Sequence, residues 1–185
     1  MPEIKIQPLF AKPLAFTKVH ISDNDIEVIK ELEYKKVDNY YISKNNIYDN
    51  LPDLTKEIES QVQAFNDNVM CFNTPVKLTS MWSLKMLPGQ SGDTHNHLNS
   101  TYSFVVYTAP GMSCQFSNFG QEDMYLKHTD KYNIFNMRTF DMPVERGTLL
   151  IFKSNLPHRI QKTNVERYTI SGNFVITDLD EFKII

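Results

Sequence analysis

The chain has 185 residues, of which 41 % are hydrophobic and 22 % charged, and its formal net charge is −3. This much apolar material excludes a disordered chain, and the length suits a single domain covering residues 1–185. Acidic and basic residues are interspersed, which argues against the basic stripe of a nucleic-acid-binding surface. No apolar run approaches the roughly 20 residues that span a bilayer. We therefore expect a soluble cytoplasmic protein with no nucleic-acid or membrane partner.

The two cysteines, Cys71 and Cys114, do not have the spacing of a metal site. We expect both to be reduced and mostly buried thiols, as is usual in an intracellular protein. A single disulfide between them is the alternative.

The first third of the sequence has helical periodicity. Ser22 or Asp23 can cap a first helix, and Asp53 can cap a second. The apolar residues of the second helix recur at steps of three or four, which predicts a stripe that packs against a sheet. These residues are Leu54, Ile58, Val62, Phe65 and Val69. We expect residues 1–75 to form a helical buttress with an N-terminal strand.

From Val76 onward the periodicity changes to two, which is typical of β-strands. Trp82, Leu84 and Met86 share one face of the first such strand. Further β-rich runs, separated by turn residues, cover 101–108, 112–119, 140–144, 148–153, 158–162 and 167–176. Two helices followed by seven or eight short strands predict a mainly β fold, a jelly roll whose core is residues 76–176.

The segment 120–140 has no clear period and is rich in polar and aromatic residues. We expect a long loop there, since such segments inside compact domains are often functional. Its aromatic residues, Tyr125, Tyr132 and Phe135, could cover a site as a lid.

Three of the five histidines have the spacing of a metal site. His95 and His97 lie two residues apart, so in an extended segment both imidazoles point to the same side. Neutral imidazoles are good ligands for iron, zinc or copper. His158 is the best third ligand, because it follows a strand and a turn that can return the chain to the mouth of the same barrel. A pair of partly exposed loop histidines is the alternative for His95 and His97.

The other two histidines, His20 and His128, are expected on the surface or in loops.

The strand that begins at Arg167 carries a polar stripe. Arg167, Thr169, Ser171 and Asn173 share one face of this strand. The simplest interpretation is that this face meets solvent, because a buried and unpaired guanidinium is costly. The functional interpretation is that Arg167 and Thr169 clamp a carboxylate, which matches the planar fork of arginine.

Taken together, Gly89, His95-Asn-His97, His158 and Arg167-Tyr-Thr169 resemble the iron(II)- and 2-oxoglutarate-dependent oxygenase superfamily. Over residues 76–176 the chain looks like a branch found in phages and marine bacteria, distantly similar to prolyl hydroxylases. The motifs of that resemblance are Trp82, His95-Asn-His97, Ser100, Ser103, Tyr107, Gly147-Thr-Leu-Leu-Ile-Phe-Lys-Ser-Asn-Leu-Pro-His158 and Arg167-Tyr-Thr-Ile-Ser-Gly-Asn173.

The resemblance implies a double-stranded β-helix, which is a cupin-like jelly roll, and a dioxygenase activity. Fe(II) would be held by His95, His97 and His158. The resemblance further implies that Arg167 and Thr169 bind the far carboxylate of 2-oxoglutarate, the cosubstrate, and that O2 is consumed. An unidentified small-molecule or peptidyl substrate would be hydroxylated, with release of succinate and CO2.

Two further strand residues, Tyr107 and Ser103, are candidates for supporting polar contacts in the cosubstrate site. Either could equally be an ordinary strand residue.

The chain departs from the family pattern in its metal ligands. His97 stands where the superfamily usually has a carboxylate, so three neutral imidazoles would leave the Fe(II) site one charge unit more positive. Zinc also tolerates three histidines. Asp93, two residues before His95, is an alternative ligand.

Two other departures concern the shape of the pocket. Phe104 stands where the branch usually has a small residue, and Gly172 stands where a larger residue is common. We therefore expect the pocket shape to differ from that of the branch.

Two rival functions remain open at this stage. A cupin-type metal enzyme without 2-oxoglutarate would explain Gly89 and His95-Asn-His97. However, it requires a glutamate near Thr101 and gives Arg167 no role. A non-catalytic jelly-roll binding protein would bind no metal. In either case the exposed edges of such a sheet could pair to form a homodimer.

Overall fold

The computed structural model describes residues 11–118, 133 and 136–177. These residues contain two α-helices, α1 (Asp23–Glu31) and α2 (Pro52–Asn68), and a short 3-10 helix, Ile47–Asn50. They also contain twelve β-strands: β1 (Leu14–Lys18), β2 (Lys35–Val37), β3 (Tyr40–Ile42), β4 (Val76–Met86), β5 (Tyr102–Tyr107), β6 (Gly111–Met112), β7 (Gln115–Ser117), β8 (Thr139–Phe140), β9 (Pro143–Val144), β10 (Thr148–Lys153), β11 (His158–Arg159) and β12 (Arg167–Ile176).

Seven strands form one large sheet, and five form two smaller ones. The large sheet has the order β1-β10-β5-β12-β4-β3-β2, and the smaller sheets have the orders β11-β7-β8 and β6-β9. Every strand pair is antiparallel. Because β12 is paired on both sides, with β4 and β5, the strand that begins at Arg167 is held along its whole length.

A capping box starts helix α1 at Ser22. The Asp25 backbone N–H donates to Ser22 Oγ at 3.0 Å, and the Ser22 backbone N–H donates to Asp25 Oδ2 at 2.8 Å. These reciprocal bonds satisfy two amide donors that the helix itself cannot satisfy. The predicted choice between Ser22 and Asp23 is therefore settled in favour of Ser22.

Helix α2 begins differently from its prediction. It starts at Pro52 with Leu51 at the N-cap, so the prediction that Asp53 caps it is wrong. Proline suits the first helical position because its missing N–H would have no partner there. Asp53 lies in the first turn, where its charge is favourable near the helix N-terminus.

The stripe of α2 packs against the sheet, as predicted, except at its last member. Leu54, Ile58, Val62 and Phe65 are buried, but Val69 is 54 % exposed because the helix ends at Asn68. The buried cluster around this stripe also takes in residues of β4, β5, β10 and β12: Met81, Tyr102, Phe104, Val106, Leu149, Ile151, Ile170 and Phe174.

The opposite face of the large sheet carries a second buried cluster. Alternation along β5 places Phe104 and Val106 on the helix side and Val105 and Tyr107 on the other. The second cluster joins these two residues to Phe116 of β7 and to other members: Cys114, Val144, Leu150, Phe152 and Leu156. The chain is thus mainly β with helices on one face of the large sheet, which confirms the predicted fold class.

Several strands are shorter than predicted. The run 112–119 gives the last residue of β6 and the strand β7, the run 158–162 gives only β11, and the run 140–144 spans parts of two strands, β8 and β9. The break between β8 and β9 contains Met142, whose backbone N–H donates to Ser113 Oγ at 3.0 Å instead of continuing a ladder. The predicted lid over 120–140, with Tyr125, Tyr132 and Phe135, lies mostly outside the described residues.

Both cysteines are free thiols, as predicted, but only one of them is buried. Cys114 is buried, Cys71 is exposed, and both are free, so the alternative disulfide is wrong. Cys71 lies shortly after the end of α2 and has a positive φ of +56°. His20 is exposed as predicted, and His128 lies outside the described residues. No helix in the described ranges is long and apolar enough to cross a membrane.

The two pocket-shape departures, Phe104 and Gly172, compensate each other. They face one another across β5 and β12. A Cβ atom at Gly172 would lie 2.4 Å from the Ser80 carbonyl oxygen and 2.5 Å from the Phe104 ring. The phenyl ring therefore fills the space that glycine leaves open.

We predict that Gly172→Ala lowers the free energy of unfolding by about 3 kcal/mol, because the added methyl overpacks the sheet. Gly89→Ala is the control. Gly89 has φ +88° but open space around its Cβ position, so that change should cost only about 1 kcal/mol of backbone strain. Urea unfolding measures both. A Gly172→Ala protein as stable as wild type would contradict the packing described here.

Candidate metal centre

The fold brings three histidines together. Their ring centroids are 5.1 Å apart for His95 and His97, 4.5 Å for His95 and His158, and 5.3 Å for His97 and His158. One potential ligand atom from each ring lies within 4.8 Å of the other two. Ring nitrogens that each bind a metal ion at about 2.1 Å must converge in this way. The cluster could therefore hold one ion after small ring rotations.

Backbone hydrogen bonds fix the three residues relative to each other. The His95 N–H donates to the His158 carbonyl, and the His158 N–H donates to the His95 carbonyl, both at 2.9 Å. The His97 N–H donates to the Ser154 carbonyl at 2.8 Å. The extended segment 95–97 therefore runs beside the turn that leads into His158.

Two of the imidazoles are oriented by carbonyl groups. Nδ1 of His95 lies 2.9 Å from the Asp93 carbonyl oxygen, and Nδ1 of His158 lies 2.9 Å from the Leu156 carbonyl oxygen. A carbonyl can only accept, so Nδ1 carries the proton in each ring. The Nε2 lone pair is then free to bind a metal, as in many metal sites where the second nitrogen is held by the protein.

The electrostatics of the cluster favour neutral rings. Burial, with a smaller contribution from the neighbouring His95, lowers the pKa of His97 to about 4. Burial likewise lowers the pKa of His158 to about 4, and the hydrogen bond to Leu156 only partly opposes this. Both rings are therefore uncharged at pH 7, which is the form that binds metal.

A cavity of about 240 Å³ joins the histidines to the polar stripe of β12. It is lined by all three histidines and by Arg167, Thr169 and other residues. Arg167 is only 9 % exposed and Thr169 only 8 %. The stripe therefore faces this cavity, and the simple interpretation that it faces solvent is wrong.

The guanidinium of Arg167 is only partly satisfied. Its Nη1 donates to the Met112 carbonyl at 2.6 Å, and the group lies 4.7 Å from the centroid of the Tyr107 ring. Its Nε and Nη2 are buried without a hydrogen-bond partner among the described residues. Burial lowers the pKa of Arg167, while Tyr107 and Cys114 oppose this shift. Each unpaired buried donor costs about 1–3 kcal/mol, so the site as it stands suits an anion.

The other two predicted cosubstrate residues, Tyr107 and Ser103, also line the cavity. The Tyr107 hydroxyl accepts the Cys114 backbone N–H at 2.8 Å, and burial raises the pKa of Tyr107 well above 10. A side-chain hydrogen bond also joins this hydroxyl to the Cys114 thiol. Ser103 Oγ lies 2.9 Å from Ser154 Oγ and 2.8 Å from Asn173 Oδ1, so this hydroxyl already has two partners.

The alternative metal ligand, Asp93, is exposed. In the described part of the chain, the converging group of ligand atoms consists of the three histidines and does not include this carboxylate. The contact of Asp93 to the cluster is through its backbone carbonyl, which orients His95.

Strand β3 contributes residues that the sequence did not single out. Tyr40 and Ile42 line the main cavity, and Tyr40 also lines a neighbouring cavity of about 140 Å³ together with Asp38 and Asp93. The aromatic and β-branched run Tyr-Tyr-Ile was the available signal for a strand there. Nothing in the sequence showed that this strand would pair with β4.

Comparison with known proteins agrees with this geometry. Residues 80–174, just over half of the chain, match the family model described as "Putative 2OG-Fe(II) oxygenase". The chain belongs to this family. It is an Fe(II)- and 2-oxoglutarate-dependent oxygenase, which confirms the predicted class of enzyme and its cosubstrate. A comparison with curated proteins gave no match.

Solved structures with the same fold are distant in sequence from this oxygenase. An oxidoreductase of the 2OG-Fe(II) oxygenase family from Burkholderia pseudomallei has a TM-score of 0.58 and 10 % identity, and the match covers 81 % of this chain and 75 % of that one. AviO1 from Streptomyces viridochromogenes Tue57 has a TM-score of 0.60 and 14 % identity, covering 90 % and 91 %.

A third similar structure is HygX from Streptomyces hygroscopicus, solved with nickel and 2-oxoglutarate bound. It has a TM-score of 0.56 and 11 % identity, covering 90 % of this chain and 84 % of that one. These likenesses confirm the double-stranded β-helix.

The lowered pKa values predict how the metal-free oxygenase responds to acid. Between pH 6.5 and about pH 4 the histidines of the unfolded chain bind protons while His97 and His158 stay neutral in the fold. Stability is therefore full above pH 6.5 and falls as the pH drops, by on the order of 2 kcal/mol for each of the two rings at pH 4.5, and by less for His97, which is more exposed to solvent.

Urea unfolding of chelator-treated protein at pH 7.0 and 4.5 measures this effect. His158→Gln should show a smaller loss on acidification, whereas the exposed His20→Gln should behave as wild type. Equal losses in His158→Gln and wild type would show that His158 is not held neutral by the fold.

Proposed function

We propose that His95, His97 and His158 hold the Fe(II) of this oxygenase and that Arg167 anchors the far carboxylate of 2-oxoglutarate. The observation that carries the proposal is the pair of unpaired guanidinium nitrogens of Arg167, in the same cavity as the three histidines. With the metal bound, the site would supply O2 activation, in which O2 and 2-oxoglutarate give succinate, CO2 and one oxygen atom for the hydroxylated substrate.

The donors of Arg167 fit a carboxylate. Nε and Nη2 lie on one edge of the guanidinium, and this edge forms the bidentate fork with a carboxylate. Nη1 is already used by the Met112 carbonyl, which fixes the orientation of the group. Thr169 lies two residues on and on the same face of β12, so its hydroxyl can add a bond to the same anion. The Tyr107 O–H, kept protonated by burial, lines the same cavity and is a further candidate donor, although it also interacts with the Cys114 thiol.

The charge balance also favours a dianionic cosubstrate. The three ligand rings are neutral, so they leave the two positive charges of Fe(II) uncompensated. Arg167 adds a third positive charge at the other end of the cavity. The two carboxylates of 2-oxoglutarate supply negative charge at both ends, and attraction between opposite charges is stronger in a partly buried site than in bulk water.

The remaining cavity wall is largely apolar. Leu84 and Met86 of β4, Val105 of β5 and Phe152 of β10 line it with apolar groups. A dry wall strengthens the interaction of Arg167 with an anion and protects reactive species from side reactions.

The primary substrate is a small molecule or a peptidyl group that reaches the histidine end of the cavity. Tyr40 of β3 and Trp82 of β4 line this end. HygX was also solved with nickel, 2-oxoglutarate and hygromycin B bound. This supports testing small molecules first as the class of primary substrate. A cupin-type enzyme without 2-oxoglutarate is less well supported, because it leaves the buried Arg167 unexplained.

The chain works as one domain in this proposal. Residues 76–176 form the catalytic core, and residues 1–75 form the buttress, whose strand β1 pairs with β10. The two free thiols support a cytoplasmic location, since reducing compartments keep cysteines unpaired. A homodimer stays a prediction, supported by β1 as an edge strand of the large sheet.

We predict that Arg167→Ala raises the dissociation constant of 2-oxoglutarate about 100-fold, because charge-assisted hydrogen bonds of about 1.5–3 kcal/mol each are lost. The weak visible charge-transfer band of anaerobic Fe(II) protein titrated with 2-oxoglutarate measures this. Arg146→Ala is the control, since Arg146 binds the Ile21 carbonyl and Asp23 far from the cavity. The proposal fails if wild type shows no band or if Arg167→Ala binds as tightly as wild type.

A second prediction concerns the ligands. His158→Ala should lose stoichiometric metal, because a site with two remaining imidazoles holds the ion far more weakly. Metal analysis of tag-free protein after dialysis measures this, with the exposed His20→Ala as the control. Full metal retention by His158→Ala would show that the ligand set is wrong.

A further inference from the structure

A chain of buried and half-buried polar side chains leads from the large sheet to the turn beside His97. Ser103 Oγ is 2.9 Å from Ser154 Oγ and 2.8 Å from Asn173 Oδ1, and the Asn173 side-chain amide donates to Ser80 Oγ at 3.2 Å. We name Ser80, Ser103, Ser154 and Asn173 the polar network. Ser154 is fully buried and Ser103 is 3 % exposed, so water does not compete for their hydrogen bonds.

The polar network ends at the metal centre. The carbonyl of Ser154 accepts the His97 backbone N–H at 2.8 Å, and the Ser154 backbone N–H donates to the Thr101 carbonyl at 3.0 Å. The side chain of Ser154 is held by Ser103. The position of the carbonyl that fixes His97 therefore depends on a side-chain contact inside the sheet.

His97 needs this support more than the other two histidines do. His95 and His158 are joined by two reciprocal backbone hydrogen bonds, and a carbonyl orients each ring. For His97, the contacts seen in the described part of the chain are the bond to Ser154, its ring neighbours and the Trp82 ring at 5.8 Å.

We propose that Ser154, held by Ser103 and through it by Asn173, is a positioning residue for His97. In this role the Ser103 hydroxyl serves the polar network and does not contact 2-oxoglutarate. The inference rests on the proposed function, in which His97 is a metal ligand. Groups that orient metal ligands without touching the metal typically contribute 10- to 100-fold to metal affinity.

Co(II) titration of the tag-free full chain, in competition with a chelator, tests the inference. Ser154→Ala should weaken Co(II) binding about tenfold and change the visible spectrum of the bound ion, because one ligand is misplaced. Ser83→Ala is the matched control. Ser83 is fully buried and hydrogen-bonded to Tyr34 and to the Thr169 carbonyl, outside the polar network. It should therefore leave Co(II) binding unchanged.

The deciding comparison repeats Ser154→Ala in a His97→Ala background. If Ser154 acts through His97, its substitution has no further effect on Co(II) affinity there, as a double-mutant cycle requires for coupled residues. A tenfold loss in both backgrounds would show a general structural effect and overturn the inference. Wild-type affinity and spectrum in Ser154→Ala would overturn it as well.

Further measurements distinguish a failure of this inference from a folding defect and from a failure of the proposed metal site. If Ser154→Ala does not fold, Ser103→Ala takes its place, since it removes the same hydrogen bond from the other side. If wild type itself binds no Co(II), the proposed metal site fails first, and the inference fails with it. Unchanged 2-oxoglutarate affinity in Ser103→Ala is expected, and a loss of that affinity without a loss of Co(II) affinity would overturn the role given to Ser103.

Discussion

The pair of backbone hydrogen bonds between His95 and His158 is the constraint on which the rest of the site depends. Each residue donates to the carbonyl of the other at 2.9 Å, so two chain segments from distant parts of the sequence are locked in register. Because side chains alternate along an extended segment, this register also places His97 on the same side as His95. The turn that leads into His158 then contacts His97 through the Ser154 carbonyl. One local pairing thus determines which three imidazoles converge.

The second constraint is the buried and partly unpaired Arg167. Two buried guanidinium donors without partners destabilise the fold, since each unpaired donor costs about 1–3 kcal/mol. Such a cost is expected where the donors serve to bind a ligand. Pairing of β12 with β4 and β5 holds the arginine in place, and Met112 and Tyr107 fix its orientation. The Arg167 side chain is therefore already in position to bind an anion. Less conformational entropy is then lost when the cosubstrate binds.

The candidate metal ligands and the carboxylate-binding residues could be predicted from the sequence, because their patterns involve residues close together in the chain. Alternation placed Arg167 and Thr169 on one face, and the His-x-His spacing placed two imidazoles together. These patterns need only the geometry of an extended chain. The sequence does not show which parts of the folded protein these residues face. Whether the face of Arg167 met solvent or a cavity depended on which strands cover it.

One error is local. Asp53 has the right chemistry for a cap, but Pro52 begins the helix one residue earlier. The role of Ser103 in the cosubstrate site stays a prediction, and the sequence did not show that its hydroxyl has Ser154 and Asn173 as partners. Phe104 and Gly172 looked like two separate departures, and only the pairing of β5 with β12 shows that one fills the space of the other. The contacts of Ser103, and the contact of Phe104 with Gly172, join residues far apart in the chain, so the sequence could not show them.

The most direct test of the account is a crystal structure of the protein with Fe(II) and 2-oxoglutarate, grown without oxygen, with the metal located by its anomalous scattering. The account predicts one iron bound to Nε2 of His95, His97 and His158, and a carboxylate of 2-oxoglutarate paired with Nε and Nη2 of Arg167. Iron bound by the Asp93 carboxylate in place of His97, or a cosubstrate carboxylate away from Arg167, would contradict it.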